Sequence, residues 1–249
     1  MFQKFLTSFM SQQWEDLLFL HWHIDPKPLA SKLPDGLALD LFEGQAWISV
    51  VGFRLTQLRI KPFTRIPWRD FNEVNLRTYV KDSAGRRGVW FLSLDSTDFL
   101  AALGARMMYG LQYRYASILG EVNRNTIGYS SETTLPSAGI KAELSTDCDL
   151  LREPFRASRR GTLEYFLLER YRFWSARKFQ GNLSTGLVCH SPYKFVQLPN
   201  AHYLGDLFKC QGLEEPLTAP ALVHYSKGFP VTASAPSWVF GIAGHANHR

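Results

Sequence analysis

The sequence predicts an α+β fold, mostly antiparallel, arranged as a sandwich or a barrel. Three observations predict it. Apolar and polar residues alternate over short runs, as half-buried strands require. Turn residues separate those runs closely enough to join neighbours as hairpins. Aromatic residues make up 14% of the 249, and aromatic side chains favour strands. A doubly wound parallel sheet is disfavoured, because long helices do not alternate with strands and there is no GxGxxG, P-loop or HExxH motif.

Residues 2–12 read as a short amphipathic helix, which makes 1–13 an N-terminal helical extension. In LLFLHWHI, Leu18, Leu20, Trp22 and Ile24 share one strand face and Phe19, His21 and His23 the other; Asp25-Pro26 ends the strand. PLASKLPDG is a short helix closed by a Pro34-Asp35-Gly36 turn. The stretch 37–53 reads as a hairpin around Glu43-Gly44. Its second half, Ala46 to Phe53, is apolar on both faces and so is expected at the centre of the sheet. Residues 71–80 and 89–96 form another hairpin, joined by KDSAGRRG.

The best helix is STDFLAALGARMMYG. Ser96 or Thr97 can cap it, with Asp98 in the first turn. Phe99, Leu100, Leu103 and Met107 repeat at helical spacing, and Gly110 ends it. A hairpin follows over 113–122 and 126–131. A short helix from Thr162 leads to a strand near Tyr171. One or two strands lie within 184–199, LGDLFKCQGL reads as helical, and 221–240 is extended. No linker divides residues 14–240, which are expected to form a single domain before a flexible tail at 241–249.

The net charge of +6 comes from dispersed basic residues, the only dense pairs being Arg86-Arg87 and Arg159-Arg160, each followed by glycine. That pattern argues against nucleic acid as a partner. Cys148, Cys189 and Cys210 are widely spaced with no CxxC, which fits a reducing compartment rather than a disulfide framework or a structural zinc site. No run resembles a signal peptide or reaches the ~20 apolar residues of a membrane helix. A cytoplasmic protein without a membrane partner and without a cofactor is expected. Homo-oligomers are compatible with the composition, although no helix shows a heptad seam.

The stretch FNEVNLRTYV carries the chemistry. Glu73, Asn75, Arg77 and Tyr79 fall on one strand face. On the return strand Val89, Phe91, Ser93 and Asp95 share a face, and the two rows could meet in one pocket. A Glu73–Arg77 interaction could fix the geometry and leave Arg77 to bind an anionic group. A solvated sheet face with cross-strand ion pairs is the competing reading. His21 and His23, spaced as His-x-His on a strand, are weak metal candidates; His190, Glu73 or Asp95 would have to complete the set. Half-buried hydrogen-bonding histidines on the strand are the plainer alternative. Glu169 and Arg170 read as neighbours that each tie down another segment.

Several stretches together resemble one family, the uncharacterised bacterial DUF2071 (YqjF-like) proteins of the acetoacetate decarboxylase-like superfamily. They are FLHWHIDPKPLASKLPDGLALDLFEGQAWISVVGF, FNEVNLRTYV, GVWFLSLDS, ARMMYG, YFLLERYRFW and HYSKGFPV. The resemblance implies a β-rich, barrel-like cone with a few short helices around a central cavity. It also implies a test. In acetoacetate decarboxylases, a lysine pair after a helix supplies the Schiff base. In the comparable ARMMYGLQYRYA, Arg106, Gly110 and Ala116 keep their places. Met107 stands in place of a glutamate, Gln112 in place of a proline, and Tyr113 and Arg114 in place of the lysines. Neither tyrosine nor arginine forms an imine, so decarboxylation by that route is not expected. Lys194 is the remaining lysine within a mainly apolar run, and it is expected to reach solvent.

Three functions follow as alternatives. The first is binding of a small carboxylate or carbonyl compound by Asn75, Arg77, Tyr79, Ser93, Asp95 and Arg106. The second is a lyase, hydratase or isomerase with Glu73 and Tyr113 as acid and base. The third is a structural or interaction protein whose cavity is filled by its own side chains.

Overall fold

The computed structural model describes residues 8–65, 68–135, 139–147, 154–176 and 183–239. The chain begins with β1 (Met10–Ile24), α1 (Pro26–Ala30), β2 (Leu37–Leu39), β3 (Ala46–Ile60), β4 (Phe71–Asp82) and β5 (Arg87–Ser96). Helix α2 (Phe99–Tyr109) leads to β6 (Tyr113–Val122), β7 (Thr126–Leu135), β8 (Lys141–Asp147) and β9 (Arg156–Ala157). Helix α3 (Leu163–Leu168) precedes β10 (Arg172–Ala176), β11 (Leu183–His190), β12 (Lys194–Leu198), β13 (His202–Gly205), β14 (Leu222–Ala233) and β15 (Ser237–Val239).

Seven strands close into a ring. β1 pairs with β3, β3 with β4 and β4 with β5; β5 pairs with β10, β10 with β11, β11 with β14, and β14 returns to β1. All of these pairings are antiparallel except β5–β10. A second arm, β6-β7-β8-β13, leaves the ring through a parallel β5–β6 pairing. Two apolar layers result. Leu18, Leu20, Val50, Val74 and Leu76 on one face of the ring strands pack with Ile127, Tyr129 and Leu144 of the arm. Leu17, Phe19, Val51, Phe53 and Phe71 on the other face pack with Tyr193 and Phe229. Alternation along each strand therefore serves two cores, which is why β3 and β4 are buried on both faces. Gly52 permits the close approach of the arm, since a Cβ there would lie 2.5 Å from the Tyr129 ring.

Several expectations need correction. Residues 8–13 are the described part of the N-terminal extension, and 10–13 are strand, pairing with both β14 and β3. Its tertiary partners override a weak helical pattern; residues 1–7 and the tail at 241–249 lie outside the described residues. In the stretch 37–53 the expected turn at Glu43-Gly44 forms, with Phe42 and Gln45 bridged around it, but β2 and β3 do not pair with each other. β2 and β3 lie in line along the same edge of β4, Leu39 opposite Val80 and Ile48 opposite Thr78, with residues 40–45 looping out between them. LGDLFKCQGL contains only a 3-10 turn at Lys209–Gln211 after β13.

Helix α2 forms where expected, but its cap is Asp98, whose Oδ1 accepts from the Ala101 N–H at 2.8 Å. Its periodic apolar face is turned outward. Phe99, Leu100, Leu103 and Met107 are exposed, and Ala102 and Tyr109 are buried. The small side is the one that fits against the ring. The short helix capped by Thr162 and the strand after Tyr171 are both present. Among the described residues, no helix is long and apolar enough to cross a membrane.

Candidate functional site

The polar row of β4 is buried. Glu73 is 4% exposed, Asn75 2%, Arg77 8% and Tyr79 0%. Glu73, Asn75 and Arg77 line a cavity of about 170 Å3 inside the ring. That exceeds the ~150 Å3 that accepts a benzene-sized guest. The walls are mainly apolar, with Leu17, Val51, Phe53, Leu55 and Phe71 on one side and α2 residues such as Ala105 and Met108 on another. Tyr79 lies beyond the cavity lining, its hydroxyl 2.7 Å from Ser49 Oγ.

Tyr113 enters the cavity because β6 starts beside β5, with Tyr113 opposite Leu94. Its hydroxyl donates to Glu73 Oε2 at 2.7 Å, and Asn75 Nδ2 donates to Oε1 at 2.9 Å. Glu73 is therefore held by Tyr113 and Asn75, and the expected Glu73–Arg77 bond is not made. Burial pushes the Glu73 carboxyl up to about 7; the two hydrogen bonds oppose this, Asp95 adds to it and Arg77 opposes it. Burial, followed by the neighbouring Glu73 charge, holds the Tyr113 phenol well above its usual range, so it stays a donor.

Ser93 and Asp95 do not join the row. The β4–β5 register slips at Leu92, between Leu76 opposite Ser93 and Arg77 opposite Phe91. This bulge reverses the alternation. Val89 and Phe91 line the cavity, whereas Ser93 and Asp95 turn to the other face. Asp95 there accepts from Arg114 Nε at 2.6 Å. Arg106 is exposed on α2 and does not line the cavity.

Of the three buried arginines among the described residues, Arg114 pairs with Asp95 and Arg170 with Asp40 at 2.7 Å. Arg77 makes no ion pair among the described residues. Its Nε and Nη2 have no hydrogen-bond partner, and its guanidinium lies 5.3 Å from the Phe19 ring centroid. Arg170 also lines the cavity with an unpartnered Nη2. Sequence pattern assigned it only a tying role, which it fulfils through Asp40; its place after α3 offered no sign of the second. Glu169 ties down the Tyr193 N–H at 2.9 Å and the Tyr171 hydroxyl.

The histidines are dispersed. His21 Nδ1 lies 2.7 Å from Ser49 Oγ, and its Nε2 lies 3.1 Å from His224 Nδ1. Burial holds His21 well below its usual value and His224 down at about 4, so both stay neutral. His23 is exposed beside Trp47. His190 stacks between Tyr171 and Phe229, at 4.5 and 4.7 Å. Among the described residues, no three His, Cys, Asp or Glu side chains group as a metal site. No lysine among them lines the cavity, and Lys194 is exposed on β12.

Residues 11–230 match the DUF2071 family, described as an uncharacterized conserved protein. The Uncharacterized protein YqjF of Bacillus subtilis (strain 168) is 36% identical over 219 residues, covering 88% of this chain and 87% of its own. Among solved structures, the enduracididine biosynthesis enzyme MppR complexed with pyruvate superposes with a TM-score of 0.62 at 14% identity, covering 94% of this chain and 91% of that one. Acetoacetate decarboxylase from Legionella pneumophila subsp. pneumophila str. Philadelphia 1 gives 0.63 at 13% identity, covering 92% and 87%. These likenesses establish an acetoacetate decarboxylase-like fold.

Proposed function

This chain belongs to the DUF2071 family, and from that premise we propose that it binds a small monocarboxylate or carbonyl compound in the ring cavity, without Schiff-base chemistry. The observation that carries the reading is Arg77, a buried guanidinium lining an apolar cavity with two nitrogens unpartnered among the described residues. An unpaired buried charge is expensive, and a carboxylate would offset it with charge-assisted hydrogen bonds. With Glu73 largely protonated below about 7, the net charge to be matched is that of one monoanion. The absence of lysine from the described lining supports the exclusion of an imine.

Calorimetric titration with small monocarboxylates tests this, and pyruvate is a rational first probe because MppR is complexed with it. Arg77→Gln is expected to weaken binding at least about tenfold. Binding unaffected by that change, or a borohydride-trapped adduct on a lysine, would overturn the reading.

A second reading has its own observation. The Tyr113–Glu73 hydrogen bond joins a donor phenol to a carboxyl poised near 7, which is suited to proton transfer beside a bound carbonyl. Deuterium exchange α to the carbonyl of a bound keto acid is then expected, with Glu73→Gln lowering its rate by ~10²-fold or more. Exchange at the uncatalysed rate in the wild type would exclude this chemistry and leave binding alone.

A further inference from the structure

We propose that the chain carries a second ligand site, for an organic anion, in a depression on the outer side of β5. β5 changes partner along one edge. It pairs with β10 at Val89 and Trp90 and with β6 from Leu94 to Ser96, and neither strand reaches Phe91–Ser93. The Leu92 bulge falls in the same interval. The parting of the two strands opens a depression of about 640 Å3, within the ~300–1,000 Å3 of small-molecule sites.

The lining of this depression carries one sign of charge. Lys32, Arg106 and Arg114 contribute to it, and among the described residues no aspartate or glutamate does. Asp95, behind it, is already engaged by Arg114 Nε at 2.6 Å and Ser131 Oγ at 3.4 Å. Among the described residues, three buried donors of the lining have no partner, Ser93 Oγ, Arg114 Nη2 and Trp174 Nε1, on residues only 2%, 8% and 0% exposed. A buried donor without an acceptor is costly, and more so when charged. An oxyanion would supply acceptors to Ser93 and Arg114. Leu33, Pro34, Trp90 and Trp174 add apolar surface for the body of such a ligand.

The site is separate from the ring cavity. Phe91, Leu111 and Tyr113 line both spaces and form the wall between them, whereas Glu73 and Arg77 line only the inner one.

Cys210 lies in the lining and reports on occupancy. Its Sγ accepts from Arg114 Nη1 at 3.2 Å and from Gln211 Nε2 at 3.4 Å. The other free cysteine among the described residues, exposed Cys189 on β11, is outside the depression and serves as the internal control.

The test is the rate of Cys210 alkylation by iodoacetamide, read by peptide mass spectrometry, with phenyl phosphate and benzoate as probes at millimolar concentration. Saturable, several-fold protection of Cys210 but not Cys189 is expected. Protection by phenyl phosphate alone assigns a phosphate head, and protection by benzoate a carboxylate head. Ser93→Ala and the exposed Arg106→Gln should each raise the half-protecting concentration about tenfold, and Arg77→Gln should leave it unchanged. No protection by either probe, equal slowing of Cys189, or protection that survives both outer substitutions would overturn the proposal. Protection lost in Arg77→Gln would also overturn it, by placing the anion in the inner cavity.

Discussion

At Glu73, burial and hydrogen bonding pull in opposite directions, and burial wins, with the carboxyl raised to about 7 from 4.5. The folded state thus binds the proton more tightly than the unfolded chain does. The stabilisation is fully present below pH 4.5 and is lost as pH rises through about 7. The loss amounts to about 3 kcal/mol, at about 1.4 kcal/mol for each pH interval of one between the two values. His224 works the other way, because its folded value is lowered to about 4; its contribution is present above 6.5 and lost as pH falls. The two overlap, so the wild-type profile alone hides each of them. Urea unfolding of wild type and Glu73→Gln between pH 4.5 and 8 separates them. The wild type is expected to lose about 3 kcal/mol relative to the variant across that range; parallel curves would show that the Glu73 carboxyl titrates at its ordinary value. The same titration bears on ligand. A carboxylate bound by Arg77 meets a neutral Glu73 at pH 6 and a charged one at pH 8, so its affinity should fall across pH 7 in wild type and stay level in Glu73→Gln. Calorimetry at both pH values reads the difference.

At the scale of elements, α2 shows how pattern and packing separate. Its apolar period is visible in the sequence, yet Leu103 is 42% exposed while Ala102 is 4% exposed. Leu103→Gln is therefore expected to change unfolding free energy by no more than about 0.5 kcal/mol, whereas a core leucine would lose several times that. Asp98 has the opposite character. It caps α2 through the Ala101 N–H and accepts from Trp68 Nε1 at 2.8 Å, joining the helix to the segment before β4. Asp98→Ala should cost about 1–2 kcal/mol in a denaturant titration. An aspartate in this first turn was plain in the sequence. That it, and not Ser96 or Thr97, is the cap depends on where β5 ends: Ser96 still pairs with Glu73 as part of the strand.

For the molecule as a whole, closure of the ring joins two distant parts of the chain, with Met10 opposite Ala233. No ring strand can leave without opening the cavity, and the β6–β8 arm shares its core with β1, β3 and β4. Far-UV circular dichroism and tryptophan fluorescence are accordingly expected to report one coincident unfolding transition. Two separated midpoints would show that the arm melts independently of the ring. Pairing so distant in sequence also implies slow folding for a chain of this size.

Local pattern was enough to establish the strand-rich class, most strand positions, the places of α2 and α3, and the row of Glu73, Asn75 and Arg77 on one face of one strand. Period-two alternation and turn chemistry are properties of neighbouring residues, so they can be read without a fold. The expectation that Tyr113 and Arg114 stand in place of a lysine pair came instead from the resemblance to acetoacetate decarboxylases. Which faces meet was settled by the packing of distant segments. One extra residue at Leu92 reversed the alternation of β5 and sent Ser93 and Asp95 away from Glu73. Ring closure turned a charged row that could have faced water into a buried cavity wall. Pairing across the ring left Arg77 without a carboxylate partner among the described residues, although Glu73 lies four residues away on the same strand. Bulges, strand partners and unpaired donors arise from contacts between segments far apart in the chain, and no local pattern encodes them.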